Sequence, residues 1–228
     1  MKKYKAILFD ADDTLLDFKM SERTAFFETA SHWGLTDLEP LLQVYTRANK
    51  NSWLLYEKGQ ISKERLTIYR FERFFEQTGL SFSPAEWNDY YKACLGKTGF
   101  LLPGALEVLE DAQQHFALYL ITNGLTAIQT QRIAVSGIEK YFNQIYTSEA
   151  LGAQKPNKEF FDAVYKDIAF APDETLIVGD SLTSDIAGGI SYGVDTCFMD
   201  WNDAVTDLQP TYRVKNLSQL LLLLQKFR

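Results

Sequence analysis

The sequence contains little cysteine, little histidine and no excess of positive charge, and these absences narrow the classes of protein it can be. The two cysteines, Cys94 and Cys197, lie far apart and in no spacing that metal ligands use, so we interpret both as small core hydrophobes. The two histidines, His32 and His115, have no recognisable partner pattern, and we assign them no role. The net charge of -7 argues against binding to a nucleic-acid polymer, because neutralising its phosphates needs a basic face.

Long hydrophobic runs are also missing. The first apolar run, which ends at Asp10, is about six residues long, too short for a membrane span or a signal peptide. We therefore expect a cytoplasmic protein with no membrane contact. The 228 residues include 46% hydrophobic and 23% charged residues, which suffices to bury a sizeable core in one large domain or in a domain that carries an insert.

Short apolar runs alternate with segments of helical periodicity over much of the chain. The runs predict strands buried on both faces at residues 4–9, 118–121, 175–178 and 196–199. The segments between them predict helices at residues 105–115, 126–136, 157–167 and 185–192. Strands that alternate with helices pair in parallel, so the expected fold class is α/β: a Rossmann-like parallel sheet with helices on both faces.

One long segment breaks this alternation. Residues 20–98 contain no convincing strand pattern and are dense in aromatic residues, most of which we expect in the core of a helical bundle. Their periodicity predicts four amphipathic helices, at residues 21–33, 38–57, 62–78 and from Ser83 onward. We therefore predict an α/β core made of residues 1–18 and 99–228, interrupted after its first strand by a helical cap of residues 19–98.

Carboxylates follow two of the predicted strands where each strand ends. Asp10 and Asp12 follow the first strand, and Asp180 and Asp185 follow the third. In a parallel sheet, ligands gather beyond the carboxyl ends of the strands, where the strand order reverses. A single Asp there is as often only the N-cap of the next helix, but two carboxylates in one tight turn repel each other unless a cation or a proton intervenes. With Asp180 beside them they predict a hard, oxygen-rich site that suits Mg²⁺ better than Zn²⁺.

Two further elements could bind an anion at the same edge. Thr122, Asn123 and Gly124 follow the second strand, and such a turn is either an ordinary connection or a hydroxyl and backbone N–H groups that face a phosphate at the start of the next helix. Lys155 precedes another predicted helix. Alone it is more often a solvated surface charge, but beside an acidic site it would offset the repulsion between a carboxylate and a phosphate.

These elements together resemble the four ordered motifs of the haloacid dehalogenase superfamily of aspartate-nucleophile phosphohydrolases. Residues 9–15 look like the first motif and residues 121–124 like the second. Residues 155–161 look like the third, and residues 178–186 like the fourth. Each motif alone is only suggestive, whereas the set in this order, with a helical insert after the first, is highly specific.

The resemblance implies a two-step phosphate-ester hydrolysis. Asp10 would attack phosphorus and become an aspartyl phosphate, and Asp12 would protonate the leaving oxygen and then activate water. Thr122 and Lys155 would hold and neutralise the phosphoryl oxygens. The implied phosphate-binding residues are Thr122, Asn123, Gly124 and Lys155.

The resemblance also implies a magnesium cofactor. Mg²⁺ would be bound by the Asp10 carboxylate, the main-chain carbonyl of Asp12 and the Asp180 carboxylate. Asp185 would orient this group of ligands through Lys155 or a metal-bound water.

Asp13 departs from the pattern of many relatives, which have glycine between the second Asp and the Thr. We expect its carboxylate to point away from the metal. Pyrimidine 5'-nucleotidases within the superfamily look similar at this position, where they have an acidic residue. Residues 193–197 and the helical cap of this chain also resemble that branch of the superfamily. The leading interpretation is therefore a phosphomonoesterase for a small-molecule substrate, a pyrimidine nucleoside 5'-monophosphate, with the aromatic-rich cap able to stack on the base.

Other interpretations remain open from the sequence alone. The protein could instead be a sugar-phosphate phosphatase, or a phosphomutase that transfers the group within a sugar phosphate. A dehalogenase fits less well, because attack on carbon requires neither a second acid nor a magnesium site. A phospho-accepting signalling module also combines acidic residues, a hydroxyl and a Lys, but a long helical insert after the first strand is not expected there.

Overall fold

The computed structural model describes residues 4–228 of the chain. Its backbone contacts divide the chain into two compact units. One consists of Met1–Phe18 together with Gly99–Arg228, and the other of Lys19–Thr98. Among residues 4–228, no helix combines the length and the apolar character that crossing a bilayer requires.

The first unit is built on a six-stranded sheet in the order β3-β2-β1-β4-β5-β6, with every neighbouring pair parallel. The strands are β1 (Ala6–Phe9), β2 (Ala117–Thr122), β3 (Gln144–Thr147), β4 (Thr175–Gly179), β5 (Asp195–Met199) and β6 (Tyr212–Val214). All four residues of β1 are buried, as the continuous apolar run predicts for a strand covered on both faces.

The strand order reverses beside β1. From β1 the chain passes to β2 and then outward to β3, after which it returns to β4 on the other side of β1. Phe9 pairs with Leu120 of β2 and with Val178 of β4, so the three strands end at nearly the same level. The residues that follow them must therefore meet at this switch point, which is where a parallel sheet collects its ligands.

The second unit consists of four helices. They are α1 (Phe18–His32, which begins in the first unit), α2 (Leu38–Glu57), α3 (Lys63–Thr78) and α4 (Pro84–Gly96). Ser62 and Ser83 are the N-caps of α3 and α4, and their side chains accept the backbone N–H of Arg65 and Glu86. These caps satisfy N–H groups that have no partner inside the helix.

Aromatic rings fill the core of the helical unit. Phe26 stacks on Tyr45 and Tyr45 stacks on Phe71, with ring centroids 5.0 and 5.1 Å apart. Trp87 is fully buried beside Phe74, at 6.1 Å between centroids. Most of the aromatic residues in this segment are therefore packed within the unit, as the sequence indicated.

The six other α-helices among residues 4–228 belong to the first unit and cover both faces of the sheet. They are α5 (Ala105–Ala112), α6 (Thr126–Ser136), α7 (Ser148–Leu151), α8 (Lys158–Asp167), α9 (Ala187–Tyr192) and α10 (Leu217–Leu224). Ile7 and Phe9 pack in one apolar layer with α5 and α10, while Ala6 and Leu8 pack in a second layer with α8. The predicted α/β class, a parallel sheet with helices on both faces, is confirmed.

Two of the strands were not predicted, and one predicted helix differs from expectation in how it begins. β3 and β6 are the two edges of the sheet, and their short polar-containing sequences lack the apolar run of a central strand. The helix expected at residues 185–192 begins as a wide π-turn at Leu182–Ile186 and becomes α-helical only at Ala187.

Candidate active site

The side chains predicted to form a site gather at the carboxyl end of the central strands. Asp10 follows β1, Thr122 ends β2 and Asp180 follows β4. Lys155 reaches them from the loop before α8, and Asp185 from the turn before α9. One carboxylate oxygen from each of Asp10, Asp180 and Asp185 lies within 4.8 Å of the other two.

Lys155 is the ion-pair centre of this site. Its Nζ lies 2.6 Å from Oδ1 of Asp10, 2.7 Å from Oδ1 of Asp185 and 2.9 Å from the carbonyl oxygen of Ile121. These three acceptors occupy all three ammonium hydrogens. The side chain is only 1% exposed, so its charge lies in a medium that screens it poorly.

Asn123 fixes the backbone of Lys155. Its side-chain amide donates to the carbonyl oxygen of Lys155 and accepts the N–H of the same residue, both at 2.9 Å. The predicted phosphate-binding residue Asn123 thus uses its side chain to hold the lysine.

Burial dominates the electrostatics of the Asp10–Lys155 pair. Burial raises the pKa of Asp10 to about 7, opposed by the charge of Lys155 and assisted by the nearby charge of Asp185. Burial lowers the pKa of Lys155, but the carboxylates of Asp10 and Asp185 outweigh it, and the net pKa is raised. The lysine is therefore charged throughout the neutral range.

Asp180 lies among several carboxylates whose negative charge Lys155 offsets only in part. Burial raises its pKa well above the ordinary value, and the charges of Asp10, Asp185 and Asp13 raise it further. Its one recorded hydrogen bond is from the Thr14 hydroxyl, at 3.4 Å. Oxygen donors with excess negative charge are what a divalent hard cation requires, so Asp10 and Asp180 fit Mg²⁺.

Asp185 differs from the other two carboxylates, because both its oxygens are already engaged. Oδ1 accepts from Lys155 and Oδ2 accepts the backbone N–H of Ser181 at 3.1 Å. Its side chain lies directly over Gly179, where an added Cβ would overlap the carboxylate. Gly179 is thus the residue that lets Asp185 reach Lys155.

Asp12 is held by two residues that the sequence interpretation missed. Its Oδ1 lies 2.5 Å from Nη1 of Arg132, and its Oδ2 lies 2.8 Å from Nε2 of Gln129. Both residues belong to α6 and are buried. One signal was available: on the predicted helix, Gln129 and Arg132 share the face of the apolar Ile133, where long polar side chains are unusual.

Thr122 and Asp13 complete the surroundings of these groups. The Thr122 hydroxyl oxygen accepts the N–H of Gly124 at 3.1 Å and Nε2 of Gln129 at 2.9 Å. Asp13 has a left-handed backbone with a φ of 55°, which glycine adopts at less cost. Its carboxylate accepts the N–H of Phe18 at 3.3 Å, at the start of α1, yet its charge still contributes to the raised pKa of Asp180.

The arrangement agrees with a family identification. A family model described as haloacid dehalogenase-like hydrolase matches residues 4–193. The chain therefore belongs to the haloacid dehalogenase-like hydrolases, the superfamily that its four motifs resemble.

Three relatives match nearly the whole chain. The pyrimidine 5'-nucleotidase PynA of Streptococcus pneumoniae is 39% identical over 98% of this chain and 96% of its own length. The pyrimidine 5'-nucleotidase YjjG of Escherichia coli is 33% identical over 98% of this chain and 99% of its own length. A magnesium-bound crystal structure of the HAD-hydrolase YfnB of Bacillus subtilis is 34% identical, with a TM-score of 0.92, over 98% of this chain and 99% of that one.

The close approach of Asp185 to Gly179 gives a testable prediction. In Gly179→Ala, the added methyl group must displace the Asp185 carboxylate, so the bond to Lys155 should be lost and the protein destabilised by about 1–3 kcal/mol. A crystal structure and urea unfolding measure both effects. Gly137→Ala is the control for the crystal structure, because a Cβ there meets nothing within 4 Å and the Lys155–Asp185 bond should be kept. Its left-handed backbone adds a stability cost of its own. A variant that keeps the Lys155–Asp185 bond at wild-type stability would contradict the prediction.

Proposed function

We propose that the protein is a magnesium-dependent phosphomonoesterase that forms an aspartyl phosphate on Asp10. The observation that carries this proposal is the buried ammonium of Lys155 between Asp10 and Asp185, at the switch point and beside Asp180. The names of the two nucleotidase relatives support a phosphate ester as the substrate.

Asp10 suits the role of nucleophile because a carboxylate needs no base to activate it once it is ionised. The difficulty is that it must approach a phosphate that is itself an anion. Lys155, at 2.6 Å, places a positive charge where the two anions meet, in a buried site where that charge is weakly screened. Burial raises the pKa of Asp10 and so opposes its ionised form, whereas the charge of Lys155 favours that form. A bound cation would favour the ionised form.

Asp12 is proposed as the acid that protonates the leaving oxygen and as the base that then takes a proton from water. Its side chain is 29% exposed, so unlike Asp185 it can reach both the leaving group and a water molecule. The hydroxyl of Thr122 and the N-terminus of α6 are proposed to face the phosphoryl oxygens.

Mg²⁺ would be held by the carboxylates of Asp10 and Asp180 and by the main-chain carbonyl of Asp12. When bound, it supplies positive charge that reduces the repulsion between the nucleophile and the phosphate. The oxygen-only donor set and the raised pKa of Asp180 support this choice of ion, as does the magnesium in the YfnB structure.

We propose that the helical unit, Lys19–Thr98, acts as a cap that excludes competing water during the reaction. A nucleoside 5'-monophosphate, and a pyrimidine nucleotide in particular, is the preferred substrate class, and the names of the two nucleotidase relatives support it. The interdomain movement described for YfnB supports a mobile cap. Sugar phosphates, whether hydrolysed or isomerised, are the alternative substrates.

The activity is tested by phosphate release. Purified protein with Mg²⁺ should release inorganic phosphate from a panel of nucleotides, sugar phosphates and short acid phosphates, with pyrimidine 5'-monophosphates turned over fastest. Product analysis separates hydrolysis from phosphoryl transfer within a sugar. Good turnover of sugar phosphates with none of nucleotides would refute the nucleotide assignment and leave the phosphatase.

Asp10→Asn should abolish turnover, by about 10³-fold or more, because the nucleophile is lost while the size of the side chain is kept. Asp173→Asn, an exposed carboxylate that precedes β4 at the end opposite to Asp180, is the matched control and should turn over like the wild type. Thermal unfolding checks that both variants are folded. Substantial activity in Asp10→Asn would show that another residue attacks phosphorus.

Asp180→Ala should weaken Mg²⁺ affinity about tenfold or more, because a charged oxygen ligand is removed. Isothermal titration of the EDTA-treated protein with Mg²⁺ measures the affinity directly, without reliance on turnover. Asp207→Ala, an exposed carboxylate, is the control. An unchanged titration in Asp180→Ala would contradict the assignment of Asp180 as a ligand.

A further inference from the structure

Both oxygens of the Asp12 carboxylate are held by one face of α6. Arg132 binds Oδ1 at 2.5 Å through Nη1, and Gln129 binds Oδ2 at 2.8 Å through Nε2. The same Nη1 lies 2.9 Å from Oε1 of Gln129, which fixes the orientation of the amide. With a donor on each oxygen, the plane of the carboxylate has one orientation.

Burial makes this arrangement rigid. Arg132 is 1% exposed, and its guanidinium lies 5.5 Å from the ring centroid of Phe18. If Asp12 moved away, the guanidinium of Arg132 would be left as an unpaired buried charge, which strongly destabilises a protein. Asp12 therefore cannot leave Arg132 at little cost. Each carboxylate oxygen still has a second acceptor position, which can carry the proton that Asp12 transfers.

Gln129 extends the arrangement to Thr122. The Thr122 hydroxyl oxygen accepts two hydrogen bonds, one from Gln129 and one from the N–H of Gly124. Both of its acceptor positions are therefore used, and the hydroxyl can act further only as a donor. A donor is what a phosphoryl oxygen requires, so Gln129 determines the direction of the Thr122 proton as well as that of Asp12.

Two glycines create the space that this arrangement needs. A Cβ on Gly124 would lie 2.5 Å from Cγ of Gln129, so the side chain could not fold back over the turn. A Cβ on Gly99 would lie 2.9 Å from the carbonyl oxygen of Arg132 and 2.5 Å from the N of Ser136. Both atoms belong to the backbone of α6, which therefore packs directly on Gly99.

We propose that Arg132 and Gln129 are positioning residues for the acid and base steps of Asp12, an inference that rests on the proposed phosphomonoesterase activity. In the first step the Asp10–phosphorus bond forms, the bond to the leaving oxygen breaks, and the Asp12 proton goes to that oxygen. In the second step water attacks phosphorus, Asp12 takes its proton, and Asp10 is released. Arg132 and Gln129 keep the Asp12 carboxylate aligned through both steps.

This role differs measurably from a purely structural one. A strongly basic leaving oxygen needs the proton from Asp12 as its bond to phosphorus breaks, whereas a weakly basic one leaves without it. Misalignment of Asp12 should therefore slow the first step for esters with a strongly basic leaving oxygen. It should have little effect on esters with a weakly basic one. A structural defect would slow both alike.

The experiment compares kcat/KM for phenyl phosphate, whose leaving oxygen is strongly basic, with that for p-nitrophenyl phosphate, which has nearly the same shape. Arg132→Met should lose about 10- to 100-fold on phenyl phosphate and about threefold or less on p-nitrophenyl phosphate. The inhibition constant for inorganic phosphate should not change, because Arg132 touches Asp12 and not the substrate. Arg132→Lys, which keeps the charge, should lose less than Arg132→Met.

Gln131→Met is the matched control, since Gln131 is an exposed residue of the same helix, and it should behave like the wild type on both esters. Equal losses on the two esters in Arg132→Met and Arg132→Lys, or no loss in either, would overturn the positioning role. A large rise in the phosphate inhibition constant would overturn it too, by showing that Arg132 binds the phosphoryl group. If the wild-type protein releases phosphate neither from these esters nor from the panel of nucleotides, sugar phosphates and short acid phosphates, the proposed function itself fails.

Discussion

The ammonium of Lys155 is the interaction on which the rest of the site depends. It lies between Asp10 and Asp185, both within 2.7 Å, in a place where neither carboxylate is well solvated. Without that charge, two buried anions and the nearby Asp180 would repel one another, and burial alone already raises the pKa of Asp10 and of Asp180. Lys155 therefore makes it possible for the fold to keep the proposed nucleophile and the proposed cation site together.

The turn after β2 and the helix that follows it organise both charged halves of the site. Asn123 clamps the backbone of Lys155, and Gln129 and Arg132 clamp the carboxylate of Asp12. Thr122 lies between the two clamps and is bonded to Gln129. Because β2 neighbours β1 in register, a single rigid strand–turn–helix segment holds the partners of two different aspartates. The positions of Asp10, the proposed nucleophile, and of Asp12, the proposed acid, thus both depend on the same continuous segment of the chain.

Strands and site residues that have a short-range sequence pattern were predicted from the sequence. Those whose position depends only on packing in the folded protein were missed. Continuous apolar runs revealed β1 and β4, and the Asp residues that end these runs could be placed at one edge of the sheet. The edge strand β3 is too short and polar to show such a pattern. Gln129 and Arg132 were missed because their partner Asp12 lies more than a hundred residues away in sequence. Their one local signal, a place on the same helix face as the apolar Ile133, does not reveal that partner. The catalytic roles of the predicted residues remain proposals.

The three hydrogen bonds of Lys155 have a consequence for the order of events during catalysis. Every ammonium hydrogen already has an acceptor, and one of these is the carbonyl oxygen of Ile121, which belongs to β2 and cannot retreat. A phosphoryl oxygen can therefore accept a hydrogen bond from Lys155 only by replacing one of the two carboxylates. In the proposed mechanism the carboxylate that gives way would be Asp10, because it would lose negative charge as it bonds to phosphorus. The Lys155 ammonium would then exchange its hydrogen bond to Asp10 for one to a phosphoryl oxygen within one reaction step. This exchange requires only a small shift of the lysine side chain.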